Sequence, residues 1–541
     1  MKVEIAGTLL LIVVLLLTVY PLAMLLVGSF RSAGPGLPGD FTLSGYVNAY
    51  TDVATYRTWS NSFLLALAVT VCSTVLAVAF AFIATRTDVP LRGLLVPVMT
   101  LSFVMPGVFL SLSWALLGHP RAGLLNQLSR QLLGIPTIWD SYSWQGMILV
   151  MSLSGVAFKF LLLIGAFKAM DLALEEASRM AGASRRTTLV RVGLPILAPT
   201  ILGVMALSFI RSLQASETPL FLGFPAKIYV FSTRIIDYLT NYVPARFPEA
   251  GALAMTGVAI MLGLVLLQWR VLGNREFVTV TGKGYRPDIW HLGRIKYLFS
   301  ALIVLYILLA LVMPGIQLAL GSVQKIFGIY SWQGLTLNNY VEAINSPVIQ
   351  RAARNTLLIS AAGGFIAMLV TTGIAYIVAR TRYSGRRALD LAVWAPWTMP
   401  GVVLGIGILW AYISLPGLRN LYGTPWLLLI GVVVTVIPVG VRVMAGTLGQ
   451  LSYDLEEVSR IHGASWWRTF RTIVFPLVTP SFVYGWLVVA VIISGELSVP
   501  LILYSPGNEV LTVAVFDLQQ NRKEGVAAAV FSMMLLATAA A

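Results

Sequence analysis

Glu176-Ala177-Ser178-Arg179-Met180-Ala181-Gly182-Ala183-Ser184, running on to Val192-Gly193-Leu194-Pro195, has a counterpart in Glu457-Val458-Ser459-Arg460-Ile461-His462-Gly463-Ala464-Ser465, running on to Ile473-Val474-Phe475-Pro476. The same offset, 281 residues, separates Glu176 from Glu457, Gly182 from Gly463 and Pro195 from Pro476, so the passage repeats without a gap. Each copy is a charged interruption in a chain that is otherwise almost continuously apolar. Two copies in register point to a duplicated architecture, and the surrounding composition says of what kind.

With 541 residues, 58% of them hydrophobic and 11% charged, and a mean hydropathy of +0.84, the chain has too few polar groups to coat a soluble globule of its size. A helix needs roughly 20 apolar residues to cross the hydrocarbon core. Such stretches lie near 7–29, 62–84, 94–117, 145–168, 197–215 and 250–270, and again near 297–320, 356–379, 389–414, 425–446, 480–503 and 525–541. The expected fold is all-α: a polytopic membrane protein of about 12 transmembrane helices in two parallel six-helix repeats. The first apolar run is longer than a signal-peptide core and has no small-residue cleavage site, so it reads as a span. The last is short, either a short helix or one that continues in a longer chain.

A second run of similarity pairs Tyr46-Val47 with Tyr340-Val341, Asn61 with Asn355, Arg86-Thr87 with Arg380-Thr381, and Met105-Pro106-Gly107-Val108 with Met399-Pro400-Gly401-Val402, all at an offset of 294. Six spans separate equivalent features, so both halves enter the membrane in the same direction, related by an axis along the membrane normal. The expected divisions are 1–270 for the first repeat, 271–296 for a basic linker and 297–541 for the second repeat. Within that linker Gly282-Lys283-Gly284 is not a phosphate loop: Phe277 stands where the first glycine belongs, and Gly284 where Ser or Thr belongs.

One cysteine, Cys72, and the separated His119, His291 and His462 exclude an internal disulfide and give no metal site. The 37 Lys and Arg against 22 Asp and Glu read as topology-setting charge, denser in the loops on the side of the duplicated passages, rather than as a nucleic-acid surface. Those passages are therefore placed in the cytoplasm.

Each duplicated passage reads as a helix, a turn and a second helix that reaches a proline at the next span. Glycine at Gly182 and Gly463 suits the left-handed residue that ends a helix, and Ser184 and Ser465 suit the cap of the next. Arg185, Arg186 and Arg191 follow in one copy, and Trp466, Trp467, Arg468 and Arg471 in the other. An isolated copy could be a mere connection between spans. Two in matching register read as a symmetric pair of docking surfaces for a symmetric pair of partners.

At this point the chain resembles the permease subunits of ATP-binding-cassette importers, whose signature runs Glu-Ala-Ala, three residues, Gly, nine residues, Ile, one residue, Leu-Pro. The spacing is complete in both copies; Ser178 and Ser459 replace an alanine, and Val458, Val192 and Phe475 are the other departures. The resemblance implies coupling helices that dock on ATPase subunits, with Glu176, Ala177, Gly182, Ala183, Ser184, Arg185, Glu457, Gly463, Ala464, Ser465 and Trp466 as the coupling residues. It implies two separate ATPase subunits holding ATP and Mg, a soluble substrate-binding protein on the outer face, and a multi-pass location in a bacterial inner membrane among lipid, with no cofactor bound by this chain, no nucleic acid and no enzymatic site of its own. The fused two-repeat plan, Phe277 to Pro287 and Gly495-Glu496-Leu497-Ser498-Val499-Pro500 resemble fused ferric-iron permeases. Permeases for thiamine, phosphonates and polyamines share much of this plan.

An ionised side chain at the bilayer centre costs roughly 2.5 to 3.5 kcal/mol, which makes such residues functional suspects. Lys159, Arg211, Glu217 and Glu496 are the candidates for a translocation pathway, with pairing between helices or snorkelling as the plainer reading. Their mixed signs select neither a cation nor an anion. Pro106 and Pro400 are expected to kink helices beside the pathway. The rival reading is a transporter or channel driven by an ion gradient, with these charges as a proton relay. A membrane enzyme finds no support in clustered His and carboxylates, a nucleophile with its base or a cofactor fingerprint.

Overall fold

The computed structural model describes residues 2–170, 172–272 and 289–540. Arg275, Lys283, Arg286 and the Phe277 to Pro287 passage of the expected linker lie outside the described residues. Among the described residues the chain is helical, with isolated bridges and no strand.

The first half runs through α1 (Lys2–Ser29), α2 (Val53–Arg86), α3 (Arg92–Val104), α4 (Gly107–Leu117), α5 (Trp144–Ala169), α6 (Leu172–Met180), α7 (Arg185–Gln214), α8 (Phe231–Thr240) and α9 (Phe247–Leu272). The second repeats the plan with α10 (Ile295–Ser322), α11 (Pro347–Arg380), α12 (Arg386–Thr398), α13 (Gly401–Ile413), α14 (Pro425–Gln450), α15 (Asp454–Ile461), α16 (Trp466–Ser494), α17 (Ser498–Leu503), α18 (Leu511–Gln520) and α19 (Glu524–Ala540). Among the described residues nine helices are long and apolar enough to cross a membrane; the bent pairs α3/α4 and α12/α13 bring this to 11, and α19 is a shorter apolar helix. The 12 expected stretches all coincide with these elements.

Polar residues set the starts. Asp52 accepts from the Ala54 N–H at the head of α2, and Ser346, ahead of Pro347, does the same for Ile349 N–H on α11. These two helices, 34 residues each, pack along α5 and α14 respectively, and against α7 and α16. The halves interlock through their first helices: α1 lies on α9 of its own half and α13 of the other, while α10 lies on α19 and α4. Gly28 and Gly407 allow the approach of α1 to α13, because a Cβ at Gly28 would come within 2.5 Å of the Trp410 ring and one at Gly407 within 2.8 Å of the Pro21 carbonyl.

Two expectations need correction. Pro106 and Pro400 do not kink continuous spans; they break them, with turns of 93° between α3 and α4 and 114° between α12 and α13. The residue before proline is driven out of the helical region. Met105 (ψ 133°) and Pro106 (ψ 138°), and likewise Met399 (ψ 135°) and Pro400 (ψ 146°), are two consecutive extended residues, enough to redirect the chain. Nor does the eleventh stretch run unbroken to 503: α16 ends at Ser494, and α17 starts again at Ser498.

Candidate functional site

The duplicated passages form two congruent elbows. In the first, α6 ends at Gly182 (φ +86°), whose N–H bonds to the Arg179 carbonyl at 2.9 Å, while Ala183 N–H bonds to the Ser178 carbonyl at 3.1 Å. In the second, α15 ends at Gly463 (φ +78°), with Gly463 N–H to the Arg460 carbonyl at 2.9 Å and Ala464 N–H to the Ser459 carbonyl at 3.1 Å. Ser184 and Ser465 then cap α7 and α16, accepting from Thr187 and Arg468 N–H at 3.2 and 3.3 Å. Across the turn Ser178 Oγ meets Thr188 Oγ1 at 3.0 Å, and Ser459 Oγ meets Thr469 Oγ1 at 2.9 Å.

From each elbow the helix enters its span through one π-helical turn, Leu189–Gly193 or Phe470–Val474. The cause is the proline that follows. Pro195 and Pro476 have no N–H and crowd the carbonyl four residues back, and the wider turn, closed from Leu194 N–H to Leu189 and from Phe475 N–H to Phe470, relieves the crowding.

Of the coupling residues expected from sequence, Glu176, Ala177, Gly182, Ser184, Glu457, Gly463 and Ser465 are exposed, and Ala183, Arg185 and Ala464 half-buried. Trp466 is half-buried against Tyr376 and Phe470, and its neighbour Trp467 is the exposed ring. Sequence reasoning passed over Met180 and Ile461, equivalent by the offset of 281, which stand at the elbow tips 90% and 81% exposed. It also passed over Glu175 and Glu456, one residue before the motif, which are buried beside Arg86 and Arg380. The sole sequence signal for either pair was their recurrence at matching offsets.

The second assembly lies where the two halves meet. The broken ends α3/α4 and α12/α13 approach the ends of α7 and α16. A Cβ on Gly107 would fall 1.9 Å from Glu217 Oε2, one on Gly401 2.7 Å from Ser498 Cβ, and one on Gly495 2.6 Å from Pro106 Cβ. Ser216 Oγ and Ser498 Oγ, one from each half, are 2.6 Å apart, and Gln214 Nε2 donates to the Trp397 carbonyl at 2.9 Å. Arg211 is exposed yet lies over the rings of Phe158 (5.1 Å) and Trp397 (5.8 Å), again one from each half. Glu496 Oε1 accepts from Ser498 and Val499 N–H at 3.0 and 3.4 Å, capping α17. Pro106, Pro400, Arg211, Glu217 and Glu496 thus belong to one junction. Lys159 does not: it is fully buried between α5 and α2, where Nζ donates to Ser73 Oγ at 2.5 Å.

A hinge-like junction of broken helices, carrying one guanidinium and two carboxylates at the seam of two halves, can bind a charged solute and open or close around it. Two surface elbows, each continuous with a span reaching that junction, can drive it.

Known proteins resemble this chain in sequence. The family described as binding-protein-dependent transport system inner membrane component matches residues 73–322 and 371–541. A ferric transport system permease protein of Actinobacillus pleuropneumoniae is 27% identical over 493 residues, covering 89% of this chain and 69% of the relative. A Haemophilus influenzae protein provisionally assigned to ferric transport is 28% identical over 436 residues, covering 79% of this chain and 66% of the relative. A Salmonella paratyphi A protein provisionally assigned to 2-aminoethylphosphonate transport is 32% identical over 194 residues, 34% of this chain and 69% of the relative. The chain thus spans about two thirds of the length of these relatives.

Proposed function

Because the chain belongs to the family of binding-protein-dependent transport system inner membrane components, we propose that it is a two-repeat permease of an ATP-driven importer and that its cargo is ferric iron. The observation that carries the reading is the pair of congruent elbows, each presenting exposed motif residues and an exposed apolar tip (Met180, Ile461) at equivalent positions. Two equal surfaces fit two equal ATPase subunits on the cytoplasmic side. On the other side a soluble binding protein delivers the cargo to the outer loops, including the segments around α8 and α18. ATP and Mg are held by the ATPase subunits. Nucleotide binding draws the elbows together, the spans α7 and α16 follow, and the junction of Arg211, Glu217 and Glu496 changes the side on which it opens.

Ferric iron is supported by the names of the two relatives that cover most of this chain. Glu217 and Glu496 offer the oxygen donors that a hard cation prefers. The test is reconstitution in vesicles with the ATPase subunits. Ferric iron presented by its loaded binding protein is expected to enter and to raise ATP hydrolysis, since coupling between two sites is reciprocal in binding free energy. Uptake by the permease without any ATPase subunit refutes the reading in favour of an ion-gradient transporter. Uptake of an organic phosphonate in place of iron keeps the importer and replaces the cargo, the outcome favoured by the higher local identity of the Salmonella relative.

A further inference from the structure

At the inner end of each half a buried arginine closes one of the two 34-residue helices: Arg86 is the last residue of α2, and Arg380 the last of α11. Neither faces solvent. Arg86 Nη1 lies 3.6 Å from Glu175 Oε2 on the first elbow, and Arg380 Nη1 lies 3.9 Å from Glu456 Oε1 on the second. The glutamates are 7% and 6% exposed. The arginines repeat at the offset of 294 and the glutamates at 281, so one contact has been kept across two different registers. Each arginine also reaches a third element. Arg86 Nη2 donates to the Phe167 carbonyl near the end of α5 at 3.4 Å, and Arg380 Nη2 donates to the carbonyls of Leu448 and Leu451 at the end of α14.

The covalent chain alone joins an elbow to its bundle loosely. On one side the preceding helix ends at an extended residue, Met170 (ψ 128°) or Leu451 (ψ 137°), and on the other stands the π-turn. An elbow held only at those points could swivel without moving α2 or α11, neither of which is its neighbour in sequence. The arginine supplies that missing tie, bringing the elbow, α2 and α5, or the second elbow, α11 and α14, to one guanidinium. A cation at the carbonyl end of a helix is favoured by the helix dipole, and a buried pair stripped of one partner leaves a costly lone charge, so the contact resists opening.

We propose that Arg86–Glu175 and Arg380–Glu456 are the transmission joints of the permease, positioning pairs that convert displacement of each elbow into movement of α2 and α11. The inference rests on the reading of the elbows as ATPase docking sites. The joints differ at one position: Glu456 also accepts from Tyr376 Oη at 2.8 Å, whereas Phe82, at the position equivalent to Tyr376, has no hydroxyl to donate.

The experiment measures the ATP-driven change in distance between spin labels on α2 and α11 in the permease assembled with its ATPase subunits. Native Cys72 is exposed on α2, and Ile366→Cys supplies the equivalent exposed site on α11. Glu175→Gln with Glu456→Gln is expected to retain the ATPase subunits and ATP hydrolysis while the distance change shrinks by about half or more, in line with loss of a site-to-site coupling energy. An unaltered distance change in that variant overturns the joints. If the double variant does not accumulate in the membrane, the single variants Glu175→Gln and Glu456→Gln decide: a smaller change in either supports the proposal, and an unaltered change in both overturns it. Should the ATPase subunits fail to copurify even with the unsubstituted permease, it is the docking reading that falls, separately from the joints.

Discussion

The carboxylate of Glu217 lies against the backbone of Gly107, so close that a β-carbon on Gly107 would stand 1.9 Å from Oε2. The clash would be with the mobile end of a side chain, which can swing aside. Gly107→Ala is therefore expected to displace the carboxylate rather than to unfold the protein: normal amounts in the membrane, and uptake reduced several-fold. Its counterpart is different. A Cβ on Gly401 meets Ser498 Cβ at 2.7 Å, close to the backbone of α17, so Gly401→Ala must move a helix and costs about 1–3 kcal/mol of stability as overpacking does. Membrane abundance and thermal unfolding of the two variants, measured beside uptake, separate these outcomes; equal loss of stability in both would show that Glu217 is held as rigidly as α17.

At the elbows the constraint is conformational instead of steric. Gly182 and Gly463 have φ of +86° and +78°, and a Cβ at either would meet nothing within 4 Å. A β-branched residue is strained there by about 1–2 kcal/mol, whereas Asn enters the left-handed region more readily. ATPase association is expected to weaken in the order Asn, Ala, Val at either glycine, measured by copurification. If Asn and Val are equally harmful, the glycines are required for close approach of the partner and not for their backbone angle.

Acid should loosen the second half at one identifiable point. Glu509, between α17 and α18, receives Arg351 Nε from α11 at 3.0 Å and the Gly507 N–H at 3.0 Å. Burial raises its pKa, but the bonds from Arg351 and Gly507 outweigh this and bring the carboxyl below its ordinary value of 4.5. A lowered carboxyl pKa stabilises the fold at pH above 4.5, and the contribution disappears as pH falls through the folded-state value. The difference in unfolding temperature between the unsubstituted protein and Glu509→Gln should stay constant from neutral pH down to about 5 and shrink below it. A difference that grows as the pH falls contradicts the assignment.

Much of this architecture was readable because lipid-crossing helices are specified by local composition: the 12 apolar stretches coincide with helices, and the duplication is visible as two fixed offsets. What stayed hidden depends on tertiary geometry. Prolines at 106 and 400 announced a disturbance, but a turn of 93° or 114° requires two consecutive extended residues, which hydropathy does not encode. Leu497 to Leu503 is as apolar as the span before it, so composition ran α16 and α17 together across the break at Gly495. Arg211, Glu217 and Glu496 were picked out by charge in an apolar setting, and so was Lys159. Contact with the junction separates the first three from the last: Arg211 lies over Trp397, Glu217 against Gly107 and Glu496 caps α17, whereas Lys159 bonds to Ser73 on α2. Trp466 and Trp467 are indistinguishable by type, and only the packing of Trp466 on Tyr376 shows which ring is left outside.

Met180 and Ile461 give the most direct test of the elbows as docking surfaces. At 90% and 81% exposure they contribute almost nothing to the permease's own packing, and a surface substitution free of such contacts usually changes stability by about 0.5 kcal/mol or less. An apolar side chain at the centre of an interface is another matter, since truncation of a well-packed anchor costs about 2 kcal/mol or more of binding. Met180→Asp with Ile461→Asp should therefore leave membrane abundance and unfolding temperature unchanged while copurified ATPase and ATP-driven uptake fall together, and each single variant should weaken one of two equivalent contacts. If the double variant binds the ATPase subunits as tightly as the unsubstituted permease, the tips face lipid or water in the working assembly and the docking surface lies elsewhere on the elbows.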